Sequence, residues 1–79
     1  MIHNYYAIYD RAAKSYVHIF ESQNDATAGR LFETLAKDKN TFVGIKPNDF
    51  AIYSVAQFND EDGSFKSHEP EKIMEGKNE

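Results

Sequence analysis

The sequence predicts an α+β fold: a small antiparallel sheet of three or four strands with one helix packed on one face, in β-β-α-β-β order. Three observations predict it. Two runs rich in strand formers stand close together near the start, a single segment of helical periodicity follows, and the clearest strand of the chain comes after that.

Residues 3–9, His-Asn-Tyr-Tyr-Ala-Ile-Tyr, are strand formers and end at Asp10. Asp10-Arg11-Ala12-Ala13-Lys14 is a polar break of hairpin-loop length, so residues 15–20, Ser-Tyr-Val-His-Ile-Phe, read as a second, antiparallel strand. Ser22-Gln23-Asn24-Asp25 offers several N-cap side chains. Beyond them Ala28, Leu31, Phe32, Leu35 and Ala36 recur at helical spacing, with Arg30, Glu33, Thr34 and Lys37 on the polar side. A helix is expected over residues 25–38, with Leu31, Phe32 and Leu35 buried against Ile8, Val17, Ile19 and Ile52. Gly29 costs up to ~1 kcal/mol there relative to Ala, and marks close packing on the sheet. Residues 40–49 read as a loop with Phe42, Val43 and Ile45 tucked beneath it. Residues 50–58 form the third strand, and Asn59-Asp60-Glu61-Asp62-Gly63 has turn chemistry. Residues 64–67 suit a short edge strand with Pro70 soon after, and residues 71–75 suit one helical turn.

Seventy-nine residues make one domain, which buries only about 60–65% of the surface its unfolded chain exposes. Five Tyr and six Phe can supply the core, since each aromatic buries roughly 150–250 Å². Residues 1–59 carry six basic and six acidic side chains, so the net charge of −4 comes wholly from the last twenty residues. We therefore expect one domain over residues 1–68 and an acidic, poorly ordered tail over 69–79. That tail reads as a solubilising terminus, or as a segment that competes with nucleic acid or docks on a basic partner. The absence of cysteine removes disulfides, thiol catalysis and thiolate metal sites, and favours a reducing cytoplasm. Asp10, Arg11 and Lys14 interrupt the first apolar stretch, so neither a signal peptide nor a membrane span is expected.

Little in the sequence supports catalysis. His3, His18 and His68 are far apart and no carboxylate pattern completes a metal site around them. Asp60-Glu61-Asp62-Gly63 lacks the ligand spacing of a calcium loop and reads as a solvated turn. A phosphate-binding glycine loop, a nucleophile–base arrangement and a buried carboxylate pair are all missing. The expectation is a non-enzyme without cofactors or metal.

The strands carry more information. Side chains alternate along a strand, so Tyr6, Ile8, Val17, Ile19, Ile52 and Phe58 are expected to face the helix. Tyr5, Tyr9, Tyr16, His18 and Tyr53 then gather on the uncovered side, with Arg11 and Lys14 beside them. Such a face suits stacking of unpaired bases or a homodimer contact. The plain alternative is that the tyrosines spread over both faces because Tyr favours strands. Two cations supply only modest, salt-sensitive affinity for DNA.

The run Tyr6-Ala7-Ile8-Tyr9-Asp10, followed by Ala13, Tyr16 and Phe20, resembles the start of the small nonstructural protein of gokushoviruses, single-stranded DNA phages of the Microviridae. Asp25-Ala26 through Arg30 and Phe32, then Asp49-Phe50, Phe58-Asn59-Asp60 with Gly63, and finally Pro70 and Ile73 extend that resemblance in order along nearly the whole chain. Each match is short and made of common residues; the ordered set carries the resemblance. Two departures stand out: Ala56 replaces a mid-strand glycine, and Met1-Ile2-His3-Asn4 replaces a basic opening. The resemblance implies a DNA-binding or packaging-associated protein in the cytoplasm of an infected bacterium. Two functions follow as expectations. One is a nonstructural phage protein assisting single-stranded genome synthesis and packaging, bound to ssDNA or to phage or host replication and packaging proteins. The other is a homodimeric protein–protein adaptor that never touches DNA.

Overall fold

The computed structural model describes residues 1–77. Strands β1 (Ile2–Asp10) and β2 (Ser15–Ser22) form a hairpin. The helix α1 (Asp25–Lys37), a single turn α2 (Phe42–Ile45) and a 3-10 turn over Pro47–Asp49 then lead to β3 (Phe50–Asn59) and β4 (Ser64–Glu75). The sheet order is β2-β1-β3-β4 with every neighbouring pair antiparallel. This is the α+β architecture that the periodicities predict.

The helix starts where its cap permits. Asn24, in extended conformation, accepts a hydrogen bond from the Thr27 amide at 2.9 Å, and Asp25 places a carboxylate in the first turn. At the other end the Thr41 hydroxyl lies 2.8 Å from the carbonyls of both Leu35 and Asp38, and accepts from the Gly44 amide at 3.0 Å. One side chain thereby closes α1 and opens α2. Gly44 is required here: a Cβ on it would stand 1.9 Å from the Asp38 carbonyl oxygen.

The core lies between α1 and one face of the sheet. It consists of Tyr6, Ile8, Ala28, Phe32, Val43, Phe50 and Ile52, with Phe20, Leu35, Ala36, Ile73 and Met74 packed around it. Tyr6 is wholly buried, yet its hydroxyl is satisfied, donating to Asp25 at 2.7 Å. Burial first, and then the Asp25 carboxylate, push that phenol well above its ordinary pKa. Gly29 does mark close packing, with Met74 and Ile73 of β4 the nearest atoms to the space a Cβ would fill.

Several expectations need correction. Leu31 is 44% exposed and Leu35 is half-buried, so Phe32 is the principal anchor of α1. Residues 42–45 are helical rather than loop, and of the three apolar side chains expected beneath them Val43 is buried while Phe42 is 47% and Ile45 68% exposed. The larger correction concerns strand facing. Ile8 pairs with His18 and Tyr9 pairs with Tyr16, which leaves Val17 as an extra residue in β2. In β3, Tyr6 pairs with Ser54 and Tyr5 with Ala56, leaving Val55 extra. Each bulge shifts alternation by one residue. Ile19 and Phe58 consequently lie on the face away from the helix, and Val17 is exposed.

The tail is also different from expectation. Strand β4 continues to Glu75, so residues 69–75 are strand and not a disordered tail or a helical turn. Met74 pairs with Ile52, Lys72 with Tyr53 and Glu71 with Ser54, and the Gly76 amide donates to the Phe50 carbonyl at 2.9 Å. Pro70 is accommodated because β4 is an edge strand and its register shifts there. Asn78 and Glu79, the end of the expected tail, lie outside the described residues.

Two measurements check this packing. In denaturant melts Phe32→Ala should lose ~3–5 kcal/mol and Leu31→Ala under ~0.5 kcal/mol; equal losses would mean that the helical face is misoriented. A chain ending at residue 68 should fail to fold cooperatively, because it lacks the Met74 and Ile73 side chains and half of the β3–β4 ladder. Normal folding of that truncation would contradict the long β4.

Candidate functional site

A thirteen-residue α1 covers one side of the sheet and leaves the other to side chains alone. The uncovered face has two aromatic groups. Near the β1–β2 turn, Tyr9, Tyr16 and Tyr53 pack edge to face, with ring centroids 4.8, 5.7 and 6.2 Å apart. This geometry sets the positive edge of one ring against the negative face of the next, as the aromatic quadrupole prefers. Burial within the group, and then Tyr53 and Tyr9, raise the Tyr16 phenol above its ordinary pKa. At the other end of the strands Tyr5 packs on Phe65 at 5.3 Å, Phe65 on Phe58 at 6.2 Å, and Phe58 on His3 at 6.2 Å.

Between the groups lies an apolar hollow of about 400 Å³, lined by Ala7, Tyr16, Val17, His18, Ile19, Val55 and Pro70, although the His18 ring itself packs towards Phe20 and Phe42. Ala7 is its buried floor. Both bulge residues, Val17 and Val55, stand on its walls, so the two register shifts and the hollow occur together. Tyr16 is 47%, Val17 44%, Ile19 58% and Phe65 54% exposed.

Of the residues expected here, Tyr5, Tyr9, Tyr16 and Tyr53 do share the uncovered face, though Tyr5 belongs to the second group. His18 does not. Its ring lies on the helix side, 6.1 Å from Phe20 and 6.5 Å from Phe42, because the Val17 bulge puts it out of phase with Tyr16. Arg11 sits at the margin and is engaged: its guanidinium donates to the Asn48 carbonyl at 2.7 Å and reaches Glu75 at 3.3 Å. Lys14 is exposed at the hairpin turn, in the left-handed region with φ 56°. Sequence reasoning missed Val17, Ile19, Val55, Phe58 and Phe65. A usable signal existed for the last two, since Phe58 and Phe65 flank the Asp60–Gly63 turn symmetrically and must pair.

The margins of the face carry its charges. Lys72, which pairs with Tyr53, bonds Glu75, which also holds Arg11; both cations pull the Glu75 carboxyl below its ordinary pKa. At the opposite end His3 is held between two carboxylates, Nδ1 to Glu21 at 2.6 Å and Nε2 to Asp60 at 2.8 Å. With an acceptor at each ring nitrogen, His3 is set up to be an imidazolium. Its pKa is raised by the bonds to Asp60 and Glu21, while that of Asp60 is lowered by His3 and by the Met1 amino group, 2.9 Å away. Among the described residues no group of three or more His, Cys, Asp or Glu is arranged to hold a metal ion. Among them, too, no helix is long and apolar enough to cross a membrane.

A family profile described as Phage ORF5 protein matches residues 3–78, nearly the whole chain. No curated protein and no solved structure matches it.

The His3 bracket has a signed pH dependence. A histidine whose folded pKa is raised contributes stability below its ordinary value of 6.5 and loses it as pH rises through the folded value; Asp60 acts in the opposite sense toward acid. By NMR the His3 imidazole should titrate above 6.5, and His3→Gln should remove the loss of stability on the alkaline side. Titration at or below 6.5 would contradict the double carboxylate contact.

Proposed function

This chain belongs to the Phage ORF5 protein family, a family of phage proteins, and we propose that it is a non-enzymatic factor in single-stranded genome synthesis and packaging, with the uncovered sheet face as its working surface. The genome role follows from the resemblance of its ordered motifs to the gokushovirus nonstructural protein. Its place of action on this reading is the cytoplasm of the infected bacterium, beside phage or host replication and packaging proteins.

One observation carries the choice of surface. Tyr16, Val17 and Ile19, each about half exposed, line one apolar hollow, and Phe65, exposed to a similar degree, packs on Tyr5 on the same side of the molecule. Contiguous apolar surface on a small protein marks an interaction site, whereas scattered exposed residues need no explanation. The geometry also bears on what binds there. The three tyrosines spend their ring contacts on one another, and Arg11 and Lys72 both engage Glu75. An apolar protein surface therefore suits the face better than a run of stacked bases on a phosphate backbone, and genome contact is then indirect.

Phage carrying Ile19→Asp tests the reading, because Ile19 is exposed and the substitution spares the core. The expected result is a several-fold drop in packaged single-stranded genome per infected cell, with circular dichroism of the purified variant unchanged. Unaltered yields from this variant and from a Tyr16→Ala, Phe65→Ala double variant would remove the face from the function.

A further inference from the structure

We propose that the uncovered sheet face binds a second copy of this chain, giving a two-fold dimer in which two sheets stack and the two α1 helices lie outside. The inference rests on the reading of that face as the working surface and names its occupant.

Three features of the molecule favour a second copy. First, the face contains both halves of a self-complementary contact. Ile19 and Val17 project as apolar side chains, and the hollow floored by Ala7 lies directly beside them. A two-fold contact sets each patch against its own copy, so a projection next to a recess of apolar character is the arrangement it requires. Sheets stack about 10 Å apart, a spacing at which side chains from facing sheets interdigitate and Ile19 of one subunit can enter the hollow of the other.

Second, the charges are disposed for an uncharged partner. Arg11 and Lys72 engage Glu75 at one end, and His3 engages Glu21 and Asp60 at the other. The charges that frame the apolar centre are mutually satisfied. A polyanion would have to displace Glu75 to reach either cation, leaving Lys14 at the turn as the adjacent cation without an ion pair among the described residues. Third, the area suffices. The molecule measures 43 × 23 × 17 Å, so a face along the strands can supply roughly the 800 Å² per partner of a standard interface.

The dimer also explains why so short a chain leaves large side chains in water. One sheet and one helix are half of a four-layer arrangement; two copies complete it as helix, sheet, sheet, helix.

The test uses the full chain in light scattering coupled to size exclusion, over a series of loading concentrations. Wild type should show twice the monomer mass. Ile19→Asp should raise the dimer dissociation constant about tenfold or more, because it places an unpaired carboxylate in the seam. Ile45→Asp, at an isoleucine that ends α2 and is more exposed than Ile19, should leave the dimer intact. Wild type that is monomeric throughout, or a dimer indifferent to Ile19→Asp, overturns the proposal. Labelled oligothymidylate in the same runs separates that failure from failure of the surface itself. A monomer that binds the oligonucleotide through Ile19 and Tyr16 would sink the dimer and keep the face. If Ile19→Asp changes neither mass, oligonucleotide binding nor packaged genome, the face and the dimer both fall.

Discussion

A thirteen-residue helix is about 20 Å long, and it can seal one side of a four-stranded sheet whose longest strands run ten and twelve residues. The arrangement of this chain follows from that shortage of cover. On the sealed side Phe32 presses on Tyr6, Ile8 and Ile52, and the Tyr6 hydroxyl is tied off on Asp25 at the start of the helix. On the other side the sheet must shelter its own backbone. Ala51 pairs with Tyr9 and Ala56 with Tyr5, and both alanines are buried there without a helix above them. The aromatic side chains around them supply the missing roof, and being half wet they suit it.

The charged residues keep to the ends of that roof. His3, Glu21 and Asp60 join the start of β1, the end of β2 and the β3–β4 turn at one end. Arg11, Glu75 and Lys72 join the β1–β2 turn to the end of β4 at the other, where Arg11 also holds the segment before β3 through Asn48 and Asp49. All these pairs are solvent-exposed and each is weak singly. Their collective effect is positional: they fix where the loops sit and leave the middle of the face apolar.

Much of this was legible in the residues. Alternation gave β1 and β3, the Ala28–Phe32 spacing gave α1, and Tyr5, Tyr9, Tyr16 and Tyr53 were placed on the correct side. The errors have two physical sources. Alternation cannot register a bulge, since an extra residue looks like any other Val until its partner strand is known; Val17 misplaced His18 and Ile19, and Val55 misplaced Phe58. Composition also misread β4. Glu69, Glu71, Lys72 and Glu75 around Pro70 resemble a solvated tail, but an exposed edge strand has the same composition. Beyond Pro70 the apolar signal is Ile73-Met74, two residues long.

The bulges at Val17 and Val55 bear on how such a surface can change over generations. Substitutions at Ile19 or Phe58 alter one side chain and leave its neighbours where they are. Loss of the single codon for either valine would restore strict alternation and leave the remaining pairs on the sides they already face, since Tyr9 would still oppose Tyr16 and Ile8 His18, or Tyr6 Ser54 and Tyr5 Ala56. These two points are therefore where a strand of this sheet can shorten by one residue and lose only a wall of the hollow, whereas the same deletion elsewhere in the strand would turn its side chains over.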